Sequence, residues 1–113
     1  MSMKIKESYN AVVIELKGKL VGGPLSSEFS HALYDNLDKG KKNVVVDLGG
    51  LSFVNSSGLG ILISGLTSMR KNGGDLKLAN VSNKIVGLLS ITKLNQIFEQ
   101  FDTAEEAVKS YSK

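Results

Sequence analysis

Leu51-Ser52-Phe53-Val54-Asn55-Ser56-Ser57-Gly58-Leu59-Gly60 is the stretch that decides the fold. The apolar run Val44-Val45-Val46-Asp47-Leu48 ends just before it and reads as a strand buried in the middle of a sheet. A helix begins inside it, at about Ser56. Its apolar residues Leu59, Leu62, Ile63, Leu66 and Met69 follow the i, i+3, i+4, i+7, i+10 spacing of a core-facing stripe. The unit also sets two adjacent serines where backbone N–H groups are unpaired and the helix dipole is positive. A hydroxyl there can cap the helix or carry a phosphate that the helix end helps to hold.

Upstream, residues 3–7 and 11–17 read as two strands with a turn at Tyr9-Asn10. Val12, Ile14 and Leu16 alternate with Val13, Glu15 and Lys17, the period of a sheet with one face more buried. Gly18 to Pro24 leads into a first helix, with Pro24 near the first helical position, where its missing donor costs nothing. That helix runs to about Asp38 and ends at Gly40, a left-handed cap. The second helix runs to Lys71 and stops at Asn72-Gly73-Gly74. Asp75–Asn80 reads as a strand, Ser82 as the cap of a short helix carrying Ile85, Val86, Leu88 and Leu89, and Gln96–Phe101 as a last strand. Thr103-Ala104-Glu105-Glu106 matches a capping box that opens a terminal helix. The alternation predicts one α/β domain over residues 1–113, with a mixed, mostly parallel sheet of four to five strands and about four helices.

Composition narrows the function. The 113 residues suit one core, and 42% hydrophobic with 22% charged content is ordinary for a soluble globular protein. Without cysteine there are no disulfides, thiolate metal sites or cysteine nucleophiles. The single histidine, His31, points away from the helical stripe Leu25, Phe29, Ala32, Leu33 and Leu37, so it is expected in solvent. Neither a membrane span nor an apolar signal core is present, and the expected location is cytoplasmic, without membrane insertion. The net charge is +3, and the cluster Lys39, Lys41 and Lys42 suits a helix C-terminus. Aromatics are 6%, so no basic, aromatic-interleaved surface for nucleic acid is expected.

Catalytic motifs fail one by one. Neither Ser56 nor Ser57 is flanked by the glycines of a nucleophile elbow. No phosphate-binding Gly-Lys-Ser/Thr occurs, and Gly58-Leu59-Gly60 lacks the third glycine of a dinucleotide fingerprint. Asn80-Val81-Ser82 matches a glycosylation sequon but reads as a strand end and helix cap. Glu15, Asp47 and Asp75 are scattered. The expectation is a non-enzymatic protein with no cofactor and no metal.

Opposite its apolar stripe, the second helix presents Ser57, Gly60, Ile61, Ser64, Gly65 and Ser68, a small and uncharged face. A glycine inside a helix costs about 1 kcal/mol relative to alanine. Gly60 and Gly65 therefore require a close approach, by the protein's own chain or by a partner, and Ile61 beside Ser57 leans toward a docking surface.

The strand at residues 44–48 followed by the serine motif at 51–60 resembles the core signature of STAS domains, and is similar in particular to the bacterial anti-sigma factor antagonists. The resemblance extends over the chain: Gly18-Lys19-Leu20 after the second strand, Gly73-Gly74, and Phe98 with Ala104-Glu105-Glu106-Ala107. It implies partner switching. The unphosphorylated antagonist binds an anti-sigma factor that is also a serine kinase, which frees a sigma factor. The kinase then phosphorylates one serine, and a PPM-type serine phosphatase restores it. The acceptor directly precedes the motif's first glycine and maps to Ser57, with Ser56 beside it as a non-acceptor that can serve as the helix cap. The implied partner-binding residues are Val21, Gly22, Asn55, Ser56, Ser57, Gly58, Gly60, Ile61 and Ser64. Asn55 and Val21 stand where the family commonly has Asp; Asn caps a helix about as well, so the change is one of charge. The alternative readings are an unphosphorylated STAS adaptor subunit of a signalling or transport complex, and a small-ligand or nucleotide binder at the second helix's N-terminus, where no Lys or Arg is near to fix an acidic ligand.

Overall fold

Residues 12–16 and 44–48 pair side by side, with Val12, Ile14 and Leu16 on the same buried face as Val44, Val46 and Leu48. The computed structural model describes residues 2–8 and 11–111, so the turn expected at Tyr9-Asn10 lies outside the described residues. Among these, five strands form one sheet in the spatial order β1 (Ser2–Glu7), β2 (Val12–Leu20), β3 (Asn43–Val54), β4 (Asp75–Ala79) and β5 (Gln100–Phe101). β1 is antiparallel to β2, and the other neighbours are parallel. The parallel strands are linked through α1 (Pro24–Asp38), α2 (Ser56–Lys71) and α3 (Asn83–Ile91), and α4 (Ala104–Ser110) follows β5. This is the mixed, mostly parallel α/β layering that the sequence predicts.

One sheet face carries the main core. Phe29 and Leu33 of α1, Leu62, Leu66 and Met69 of α2, and Leu89 of α3 are buried there against Ile14, Val46 and Leu78. Each such side chain contributes about 1.5–3 kcal/mol when fully buried. The opposite face has a smaller cluster of Val13, Val45 and Ala79 under Ala107 of α4. β2 is thus covered on both faces at Val13, with Val12, Ile14 and Leu16 facing the larger core, the more buried face that the alternation predicts. Three contacts pin α4 and its C-cap Tyr111: the buried Lys77 ammonium donates to Ser110 Oγ (2.7 Å) and lies 4.1 Å over the Tyr111 ring, and the Tyr111 hydroxyl donates to the Val44 carbonyl (2.7 Å). Burial pushes the Tyr111 phenol well above its ordinary pKa.

Helix ends follow the sequence closely. Gly40 and Gly73 adopt the left-handed conformation (φ 78° and 83°). Behind them the N–H groups of Lys41 and Gly74 donate to the carbonyls of Asn36 and Met69 (2.7 and 2.8 Å), which closes α1 and α2 with the same C-terminal motif. Ser82 caps α3, and the Thr103 hydroxyl caps α4 through the Glu106 N–H.

Strand lengths differ from the expectation. β2 continues through Leu20, and β3 does not stop at Leu48 but runs to Val54, because irregularities between Glu15 and Lys17 and between Gly18 and Lys19 let the two strands stay paired while shifting register. The last strand is Gln100–Phe101 alone. Leu94–Gln96 instead forms a 3-10 turn that carries Phe98 into the main core.

Candidate functional site

β2, β3 and β4 end at Leu20, Val54 and Ala79, and the segments leaving them share the sheet edge where α/β proteins usually build sites. Asn55 follows β3 directly. Its backbone N–H donates to the Leu20 carbonyl (3.3 Å), and its side-chain oxygen accepts from the Gly58 N–H (2.9 Å), which makes it the N-cap of α2. Capping is therefore done without either serine. Ser56 and Ser57 are exposed, and the Ser57 hydroxyl has no hydrogen bond to any described residue. Ser57 stands in the first turn of α2, at the positive end of its dipole.

A division of labour in stability follows. Asn55→Ala should cost about 1 kcal/mol, and Ser57→Ala should stay within about 0.5 kcal/mol of the parent. Urea unfolding of the two variants measures both. An equal loss at Ser57 would make that side chain a structural cap.

The loop between β2 and α1 lies against this turn. The buried Ser26 hydroxyl accepts from the Gly22 N–H (3.1 Å), and a Cβ on Gly22 would stand 3.8 Å from Ser57 Cβ. Val21 is exposed beside it. On α2, Gly60 and Ser64 are exposed, and Ile61 is half-buried, packing on the rim of the main core. Gly58 is buried, facing inward to the end of β2. Gly65 does not belong to the outer face suggested by spacing: it is buried, and a Cβ there would meet Leu33 Cδ1 at 2.7 Å and Leu76 Cδ1 at 3.1 Å. Close helix packing explains Gly65. It does not explain Gly60, where nothing lies within 4 Å of an added Cβ.

Between α1 and α2, next to Ser57, runs an open groove of about 430 Å³. α1 supplies Ser27, Ser30, His31 and Tyr34 to it, residues that the sequence reading did not assign to a site. Their i, i+3, i+4, i+7 spacing was the available signal: an uncharged stripe on an exposed helix face. His31 is in solvent as expected, and Tyr34 is 55% exposed. No Asp, Glu, Lys or Arg lines the groove, and the first turn of α2 has no acidic residue. Among the described residues, no three His, Cys, Asp or Glu side chains gather as a metal site, and no helix is long and apolar enough to cross a membrane.

A five-stranded mixed sheet with a serine-bearing turn after its central strand defines a class, and the match over residues 2–107 shows that the chain belongs to the STAS domain family. Among its relatives is the anti-sigma-B factor antagonist of Bacillus subtilis, 25% identical over 111 residues, covering 96% of this chain and 98% of that one. The solved protein TM1081 of Thermotoga maritima superposes with a TM-score of 0.87 at 24% identity, over 100% of this chain and 90% of its own. The phosphorylated form of Bacillus SpoIIAA does so with a TM-score of 0.76 at 21% identity, over 96% and 98%. These two likenesses speak for the fold.

Proposed function

We propose that this protein is an anti-sigma factor antagonist switched at Ser57. Unphosphorylated, it binds an anti-sigma factor with serine-kinase activity and so releases a sigma factor; a PPM-type phosphatase reverses the modification. The observation that carries this reading is the exposed, unbonded Ser57 hydroxyl standing beside a cap that Asn55 already provides. The hydroxyl is free for chemistry that leaves the fold alone. The relative in Bacillus subtilis is an antagonist of an anti-sigma factor by name, and SpoIIAA exists in a phosphorylated form.

The docking face consists of Val21, Gly22, Ser57, Gly60, Ile61 and Ser64, with the cap Asn55 and Ser56 at its edge and the groove side of α1 beside it. Its lack of charge makes shape and apolar contact the basis of recognition, so partner affinity should change little with salt. Gly60 offers a clean test because the domain itself has no use for a glycine there. Gly60→Glu should raise stability by up to about 1 kcal/mol, through helix propensity. The same change should weaken partner binding at least tenfold, about 1.4 kcal/mol, by placing an unpaired carboxylate in the interface. Thermal melts and titration calorimetry with the cognate anti-sigma factor read the two effects. Unchanged affinity would remove α2 from the docking surface.

A further inference from the structure

The sheet edge that bears Ser57 also bears an apolar groove of about 410 Å³ between the last residues of β3 and α3. Small-molecule sites usually span about 300–1,000 Å³. Leu51 and Phe53 form one wall, and Ile85, Leu88 and Ile91 the other. Phe53 is 43% exposed and Ile91 83%, so large apolar side chains are left in water on both sides of the same groove. Gly87 lies in the α3 wall, and nothing stands within 4 Å of where its Cβ would be. Glycine weakens a helix, and no packing within the domain requires one here. The absent side chain keeps the groove open.

Charge identifies the occupant. Lys84 is the charged residue of the lining, and it has no ion-pair partner among the described residues. It stands in the first turn of α3, while Ile91 ends the helix about 10 Å further along the axis. The other polar side chains of the α3 wall, Ser82 and Asn83, are at the Lys84 end. A peptide lying along the apolar remainder would bring backbone amides to a surface with few partners for them. An alkyl chain would not.

We propose that this groove binds a single-chain amphipathic carboxylate, with its tail on Phe53, Leu88 and Ile91 and its carboxylate at Lys84. The inference is independent of partner switching: the binding belongs to the chain alone, and Ser57→Ala should bind the ligand as the parent does.

The test is an NMR titration of the full chain with sodium octanoate and, in parallel, 1-octanol. Octanoate should give saturable shifts confined to residues 51–54 and 82–91. Lys84→Gln should weaken octanoate about threefold, the scale of an exposed ion pair, and leave octanol unchanged. Gly87→Leu fills the groove and should weaken both ligands at least tenfold without lowering the unfolding temperature. If that variant does not fold, Ile91→Asp takes its place, at a side chain largely in solvent. Scattered or unsaturable shifts, full octanoate affinity in the filled variant, or equal loss of octanol and octanoate in Lys84→Gln would each overturn the proposal. So would preference for an acidic peptide over octanoate.

Discussion

Gly58→Ala is expected to destabilise the domain by about 3 kcal/mol or more, the upper range for overpacking, although it adds only one methyl group. The added Cβ would stand 2.0 Å from the Leu20 carbonyl oxygen, 2.8 Å from its carbonyl carbon and 3.1 Å from Val54 Cγ1. Two of those three atoms are backbone, so no flexible side chain can yield. Relief requires α2 to lift from the end of β2, which strains the bond from the Asn55 N–H to the same Leu20 carbonyl. Total stability for a domain of this kind is about 5–15 kcal/mol, so the loss is a large fraction of it and should lower the melting temperature by about 10 °C or more. Two residues on, Gly60→Ala meets open space and should raise stability by about 0.5–1 kcal/mol. Calorimetric melts of both variants decide the matter. A Gly58→Ala protein melting within a few degrees of the parent would mean that the turn joining β3 to α2 gives way easily, and the rigid placement of Ser57 would lose its basis.

The same contrast shows what the sequence can and cannot disclose. The helices were legible because their signals are local: apolar residues at i, i+3 and i+4, an Asn or Ser at the start, a left-handed glycine at the end. The cap at Asn55 and the open position of Ser57 come from that same local chemistry. The second half of β3 was not legible. Its buried residues Leu48, Leu51 and Val54 are spaced by three, since the register shifts against β2 break the alternation by which a strand is recognised. The last strand was overdrawn for a related reason. Phe98 and Phe101 look like members of one strand, yet Phe98 enters the main core and Phe101 packs on the opposite face. Gly65 and Gly60 look alike in the sequence, and only the crossing of α1 over α2 separates a packing glycine from an exposed one. The place of Tyr34 in the same groove as Ile61 depends on that crossing too.

Phosphorylation of Ser57 is expected to lower affinity for the cognate anti-sigma factor at least a hundredfold, about 2.8 kcal/mol, without unfolding the domain. The phosphate brings about −1.5 to −2 charges at pH 7. Within the domain it sits at the positive end of α2, where Asn55 leaves the first N–H groups available and no acidic residue opposes it. Toward the partner the balance reverses. A face without charged side chains binds by close apolar contact, and a dianion at its centre must be stripped of water with no Lys or Arg in the groove lining to receive it. Since the second phosphate proton leaves near pH 6, release should be stronger at pH 7.5 than at pH 5.5. Ser57→Asp carries one charge and less bulk, and should produce a smaller loss than the phosphate. Incubation with the cognate kinase and ATP, peptide mass spectrometry and calorimetry of the modified protein test the chain of argument. One phosphate on Ser57, none on Ser57→Ala and a cooperative melt after modification are the expected results. Phosphate on Ser56 would overturn the site assignment. Unaltered affinity after modification of Ser57, or no modification by a kinase that binds the domain tightly, would leave a STAS adaptor that holds its partner without a switch.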